Sequence, residues 1–350
     1  MPAFQTYPIW LNLGLLVLAA GVVVLAGTRL SAYAEVIAGR TGLGEAVVGT
    51  VLLATATSLP EIATITTASA IGNAPLAINN LLGGIMLQTT ILVLADLVGR
   101  RGALTYFAAR ATLLLQGVWL ITMLALVLAG IIVGERGSLF QVGLGSTLAF
   151  GAYLLGIYLL NRYREHEGWQ PVGAPEDRAG GDPQTSQGQH GQDRSTTWLF
   201  VAFAMGGLAI LLAGTAVGRT GNALAAQTGL GGSFIGATLV AAATSLPELS
   251  ATLTAVRLGA YQLAVSNILG GNMLLVALLF LADIFYRPRP ILDIADRSAM
   301  LGAAAGILMT AAYLFGMIER RNRTVFGLGL DSVAVLVVYL TTLVGLYLLR

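Results

Sequence analysis

Two glutamates share the same neighbours: the string Ala-Thr-Ser-Leu-Pro-Glu runs over 56–61 and again over 243–248, ending at Glu61 and Glu248. Both lie well inside long apolar runs. Placing a carboxylate at that depth costs at least about 2.5–3.5 kcal/mol even on lenient insertion scales. No arginine sits at comparable depth and the chain has no lysine, so a cation or a proton is left as the partner. The plain alternative is a pair of protonated glutamates that only hydrogen-bond the bundle.

The residues beside the glutamates are oxygen donors. Pro60 and Pro247 lack an N–H, which frees the carbonyls near Ala56 and Ala243. Thr57, Ser58, Thr244 and Ser245 add hydroxyls. Taken singly, a proline kinks a helix and a hydroxyl bonds back to a helix carbonyl. Recurring together with Glu, they read as an oxygen-lined site for a hard cation, which prefers carboxylate, carbonyl and hydroxyl ligands. A second polar element follows each copy: Asn79-Asn80-Leu-Leu-Gly83-Gly84, and Ser266-Asn267-Ile-Leu-Gly270-Gly271. Asn80 and Asn267 can offer amide oxygens, and the paired glycines permit close helix approach. Asp96 and Asp283 end their apolar runs and read as loop anchors.

Composition sets the solvent. Of 350 residues 56% are hydrophobic and 10% charged, against about 25% charged in soluble domains. Most of the chain therefore faces lipid or other apolar helices, and the bilayer is its main partner. There is no cysteine, and the two histidines, His166 and His190, fall in one polar stretch. That excludes thiolate chemistry and a buried histidine metal cluster; no cofactor is expected. A net charge of +2 gives no footprint for nucleic acid, and no protein partner is indicated. The apolar run after Pro8 is too long for a signal-peptide core and reads as a first span.

Runs near the roughly 20 residues needed to cross a bilayer occur at 8–29, 43–69, 75–98, 108–133 and 138–161. They recur at 197–217, 231–257, 261–285, 297–317 and 330–349. Between the two sets lies a Gly-, Gln-, Asp- and Pro-rich segment over 162–196, which cannot bury a core and reads as a flexible linker. The arginines orient the chain. With the N-terminus outside, thirteen fall in cytoplasmic loops and six outside. This predicts an inner-membrane protein with both termini outside and the linker cytoplasmic.

An offset of 187 residues lays 41–98 over 228–285 without a gap, with 28 of 58 positions identical. The match extends to Leu-Ala-Gly-Thr at 25–28 and 212–215. Because the offset spans five helices, an odd number, the second copy is inverted. The expected fold is an all-α polytopic membrane protein of about ten transmembrane helices. It divides into a first five-helix repeat over 1–161, the linker, and a second, inverted repeat over 197–350. In such folds the polar motifs meet at the repeat interface near the midplane, where transporters bind substrate.

On these residues the chain resembles the calcium/cation antiporter superfamily, and within it the prokaryotic sodium/calcium exchangers. The resemblance covers both repeats and the layout with a central linker. It implies antiport of Ca2+, Na+ or H+ and alternating access by the first and sixth helices. It also implies a cation shell built from the paired Glu, the adjacent Thr and Ser oxygens and the Asn-bearing helices. This chain departs from the family pattern. Ala56 and Ala243 stand where Gly is usual, Gly84 and Gly271 lack the family's hydroxyl, and Gln88 and Leu275 stand where Asn or Asp is frequent. The expected site is thus Glu61 and Glu248 as direct ligands, with Thr57, Ser58, Thr244, Ser245, the Ala56 and Ala243 carbonyls, Asn80, Asn267 and Gln88 around them. Two carboxylates facing one cavity repel, so proton competition is expected at acidic pH. The alternatives are proton-coupled exchange of Ca2+ or another cation, a passive channel, and an intramembrane enzyme. The last lacks a histidine at depth, a catalytic Asp pair and a Cys.

Overall fold

The computed structural model describes every residue except 1–2, 42–48, 100–101, 136, 140, 165–194, 323 and 326. The first half runs α1 (Ala3–Thr6), α2 (Ile9–Thr41), α3 (Gly49–Ala70), α4 (Ala74–Gly99), α5 (Leu104–Ala108) and α6 (Ala111–Val133), then strands β1 (Ser138–Leu139) and β2 (Val142–Gly143), and α7 (Leu144–Arg164). The second half begins with α8 (Thr196–Thr228), α9 (Gly231–Ile235), a π-helical turn over Gly236–Val240, α10 (Ala241–Thr244), α11 (Leu246–Arg257) and α12 (Tyr261–Phe285). A 3-10 turn (Ile291–Ile294), α13 (Arg297–Glu319), strands β3 (Thr324–Val325) and β4 (Leu328–Gly329), and α14 (Leu330–Leu348) complete it. Among the described residues, eight helices are long and apolar enough to cross a membrane, and nine if the bent segment Gly231–Arg257 counts as one span.

Three expectations change. The runs at 8–29 and 197–217 mark only part of their helices: α2 and α8 each extend to 33 residues. Hydropathy senses the bilayer, whereas the helix continues wherever a neighbour supports it, and α2 and α8 support each other. The run at 138–161 does not begin as helix. Its first residues form the β1–β2 hairpin, matched in the second half by β3–β4, because Gln141 and Gly327 adopt positive φ and turn the chain. Third, Pro60 does not break its helix. α3 runs through it, while the second copy breaks at Ser245 and bends by 50°.

The two long helices run antiparallel. At one end Asn12 Nδ2 donates to Gln227 Oε1 at 3.1 Å; at the other the rings of Tyr33 and Trp198 meet edge-on at 5.6 Å. The second half is therefore inverted relative to the first. Both termini fall at the first of these ends: Gln227 also donates to the Tyr7 carbonyl at 2.6 Å, and Tyr347 packs against Phe234. The stretch 165–194, most of the expected linker, lies outside the described residues.

α4 and α12 form the centre. Within their apolar windows 72% and 61% of residues are buried, against 17–28% for α2, α7, α8 and α14. A helix apolar on all sides belongs in such an interior. There Ile78, Leu81, Ile85, Val276 and Leu279 are fully enclosed.

Candidate cation site

Four elements carry the repeated polar motifs: α3 and α4 from the first half, α11 and α12 from the second. α3 packs on α4 and α12, and α11 packs on the same two helices, which also pack on each other. The crossing of α4 and α12 marks the pseudo-two-fold axis. Ile85 and Asn272, equivalent at the repeat offset, meet there: Asn272 Nδ2 lies 3.5 Å from the Ile85 carbonyl and donates to Thr89 Oγ1 at 3.1 Å. The flanking positions pair across the same axis. A Cβ placed on Gly84 would stand 3.1 Å from Leu275 Cδ1, and one on Gly271 would stand 3.2 Å from Gln88 Oε1.

The elements packed at this crossing carry buried polar atoms without a hydrogen-bond partner. These are both carboxylate oxygens of Glu61, Glu248 Oε2, Ser245 Oγ, both amide atoms of Asn80, Gln88 Oε1 and Asn272 Oδ1. Glu61 is 2% exposed and Glu248 5%, and the two are close enough to act on one another electrostatically. Leaving one buried polar group unsatisfied costs about 1–3 kcal/mol, more for a charged group. Unpartnered oxygens on elements that pack together are what a ligand with several oxygen contacts would relieve.

The local sequence explains the exposed backbone. Pro247 sits at the start of α11, where its missing N–H costs least, and Ser245 turns the chain between α10 and α11. Ahead of the break, the π-helical turn packs tightly on α4. A Cβ on Gly83 would overlap the Ala237 backbone, and one on Gly236 would lie 2.6 Å from the Leu76 carbonyl. Only glycine allows these approaches. The long helices back both prolines across the repeat: a Cβ on Gly27 would lie 3.3 Å from Pro247 Cγ, and one on Gly214 2.9 Å from the Pro60 carbonyl. Gly27 and Gly214 are the glycines of the repeated Leu-Ala-Gly-Thr.

The expected residues fare unequally. Glu61, Glu248, Ser58, Thr244, Ser245, Asn80 and Gln88 are all buried. Thr244 Oγ1 donates to the Ala241 carbonyl at 3.2 Å, which leaves its lone pairs available. Thr57 is half-buried, Ala243 is buried beside the break, and the side chain of Ala56 lies outside the described residues. Asn267, the repeat counterpart of Asn80, has different surroundings: it is half-buried and donates to Thr252 Oγ1 at 3.4 Å. Asn272 was missed by the motif reading. Its one signal is that an amide replaces Ile85 in an otherwise matching Gly-Gly-x-Met-Leu stretch.

Comparison with known proteins gives the family and the fold. The family model described as "Sodium/calcium exchanger protein" matches residues 11–162 and 198–347. The putative antiporter CaxA of Alkalimonas amylolytica is 27% identical over 296 residues, 83% of this chain and 86% of the relative. The inner membrane protein YrbG of Escherichia coli (strain K12) is 24% identical over 323 residues, 86% and 94% of the two chains. Among solved structures, the fold is shared with the H+/Ca2+ exchanger CAX (TM-score 0.68, 14% identity, 98% of this chain and 83% of that one). It is shared also with native YfkE (0.65, 15%, 99% and 95%) and the sodium-calcium exchanger NCX_Mj (0.56, 18%, 95% and 98%). The chain is a polytopic membrane transporter, not an enzyme, and it belongs to the sodium/calcium exchanger protein family.

Proposed function

We propose that this protein is a secondary cation antiporter in which Glu61 and Glu248 bind the transported cation directly and exchange it for Na+ or H+. The single observation that carries the reading is that both repeated glutamates are buried and keep carboxylate oxygens without a hydrogen-bond partner, on α3 and α11, which pack on the same two central helices. Thr57, Ser58, Thr244, Ser245 and the carbonyls of Ala56 and Ala243 supply further oxygens, with Asn80 and Gln88 across from them. Asn267, tied to Thr252, contributes least.

The functional units are the two repeats, 1–161 and 197–350, joined by the 162–196 linker. In this reading the two long helices, whose Gly27 and Gly214 lie against Pro247 and Pro60, are the elements that move to alternate access. The arginine distribution places the linker in the cytoplasm and both termini outside, in the plasma membrane. The cations are Ca2+ together with Na+ or H+. Proton-coupled exchange gains support from Gln88 and Leu275, which leave the site with only two carboxylates.

The test is ion flux in proteoliposomes with Ca2+, Na+, K+ and H+ each imposed as the sole gradient. An antiporter requires a cation on the opposite side, whereas a passive channel does not. Glu61→Gln and Glu248→Gln are each expected to abolish counter-ion-dependent flux. Undiminished exchange in either variant removes the mechanism.

A further inference from the structure

One face of α4 and the matching face of α12 have unequal surroundings. On α4, Leu76, Asn79, Asn80 and Gly83 are all buried. On α12 their repeat counterparts Ser266, Asn267 and Gly270 are half-buried, and Leu263 is 48% exposed where Leu76 is 0%. Polar side chains within a span turn toward the bundle interior or a water-filled cavity rather than lipid. The shared face is therefore sealed at the end of the bundle that carries both termini and accessible at the opposite end.

α9 and the turn after it make the seal, with Ala237 against Gly83 and Gly236 against the Leu76 carbonyl. Asp296, the N-cap of α13, fastens α9 in that place. Its Oδ2 accepts the Ser233 hydroxyl of α9. Its Oδ1 accepts the Ala299 N–H at 2.9 Å and, at 3.4 Å, the Asn79 amide of α4. One carboxylate thus ties α9 and α4 to α13, and a hydroxyl bound to a carboxylate makes a stronger bond than a neutral pair. The opposite end has other side chains. At the repeat offset Ala46 stands where Ser233 does, and α6 begins at Arg110, which makes no side-chain cap. Ser266, the counterpart of Asn79, turns to Gln116 Oε1 at 3.4 Å.

We infer that Ser233 and Asp296 are positioning residues that latch the path to the glutamates shut at the end carrying the termini. That this path serves a transported cation rests on the reading above; the latch itself is tested without flux.

The chain has no cysteine, so single cysteines report access. Leu76→Cys and Leu263→Cys occupy matched positions at the two ends. The full chain is placed in lipid nanodiscs, where both faces meet reagent, and the rate of modification by a charged maleimide is measured. Leu263→Cys is expected to react readily and Leu76→Cys slowly. Adding Ser233→Ala, which spares the Asp296 N-cap, is expected to speed reaction at position 76 by about ten- to hundredfold. Ser233→Thr keeps the hydroxyl and is expected to leave it slow. An unchanged rate at position 76 in Ser233→Ala overturns the latch, as does an equal acceleration at position 263, which would mean general loosening. Faster reaction at position 76 alone, in a protein whose wild type shows no counter-ion-dependent flux, overturns the transport reading and leaves the latch standing.

Discussion

Gly329 donates its backbone N–H to Asp96 Oδ2 at 2.6 Å, joining the end of α4 in the first repeat to the β3–β4 hairpin of the second. Asp96 Oδ1 accepts the Leu104 N–H at 2.7 Å. The inverted copy repeats the clasp: Asp283 accepts from Gly143 at 2.8 Å, from Ile291 at 2.8 Å and from the Ser146 hydroxyl. Each carboxylate anchors a hairpin of the opposite half. Asp96→Ala or Asp283→Ala would leave at least two buried N–H groups without acceptors, at about 2–5 kcal/mol. Thermal unfolding in detergent is expected to drop clearly for both, with apparent cation affinity of the remaining folded protein unchanged.

The repeat supplies matched controls for glycine packing. Gly83→Ala must displace the Ala237 backbone, whereas a methyl on the equivalent Gly270 meets nothing within 4 Å among the described residues. Overpacking of this kind costs about 1–3 kcal/mol. Gly83→Ala is therefore expected to lower the unfolding midpoint and Gly270→Ala to leave it close to wild type. Equal effects would argue against the close α4 contact.

One position further on, the same logic reaches the site. Gly271→Ala places a methyl 3.2 Å from Gln88 Oε1, so the amide must move. The expected outcome is a weaker apparent affinity for the transported cation in flux titrations. Pairing it with Gln88→Asn, which shortens the side chain, is expected to restore part of the loss.

Asn272 separates stability from binding. Its Nδ2 donates to Thr89 Oγ1, whose own hydrogen goes to the Ile85 carbonyl at 2.7 Å. That arrangement fixes which amide atom faces Thr89 and leaves Oδ1 unpartnered. Asn272→Leu keeps the number and branching of side-chain heavy atoms and removes both the bond and the orphan oxygen. Its unfolding free energy is expected to stay within about 1 kcal/mol of wild type, while half-saturation for the cation rises. A large stability loss with unchanged transport would make Asn272 a packing residue only.

Outside the spans, Glu135 sets a pH dependence. It accepts the Gly145 N–H at 3.0 and 3.1 Å through its two oxygens. Burial, with Asp283 and Asp293 nearby, raises its carboxyl above the usual 4.5 despite those backbone donors. The folded state therefore holds the proton more tightly than the unfolded chain. Stability contributed by this group falls as pH climbs from the unfolded carboxylate value through the raised one. Glu135→Gln removes that slope, so its unfolding midpoint should gain on wild type as pH climbs above the unfolded carboxylate value. Parallel curves would show that Glu135 is solvated as an ordinary surface acid.

Much of this protein was written in one dimension. Apolar runs gave the helices because bilayer thickness sets a length that hydropathy reads directly. The 187-residue offset gave the inversion, since five spans must reverse the second copy. Glu61 and Glu248 stood out because burial of a carboxylate is costly wherever the fold places it. The loop-anchoring aspartates were visible as acids at the ends of two equivalent spans.

What the repeat could not disclose is where the halves differ, because identical motifs fold in unequal surroundings. Pro60 lies inside a continuous helix while Pro247 begins a new one after Ser245, and Asn80 is sealed where Asn267 finds Thr252. The lengths of α2 and α8 depended on each having the other as an antiparallel neighbour. Asn272, and the meetings of Gln88 with Gly271 and Leu275 with Gly84, depended on where α4 and α12 cross. Pairing across an axis is a property of packing between distant segments, and only the assembled bundle decides it.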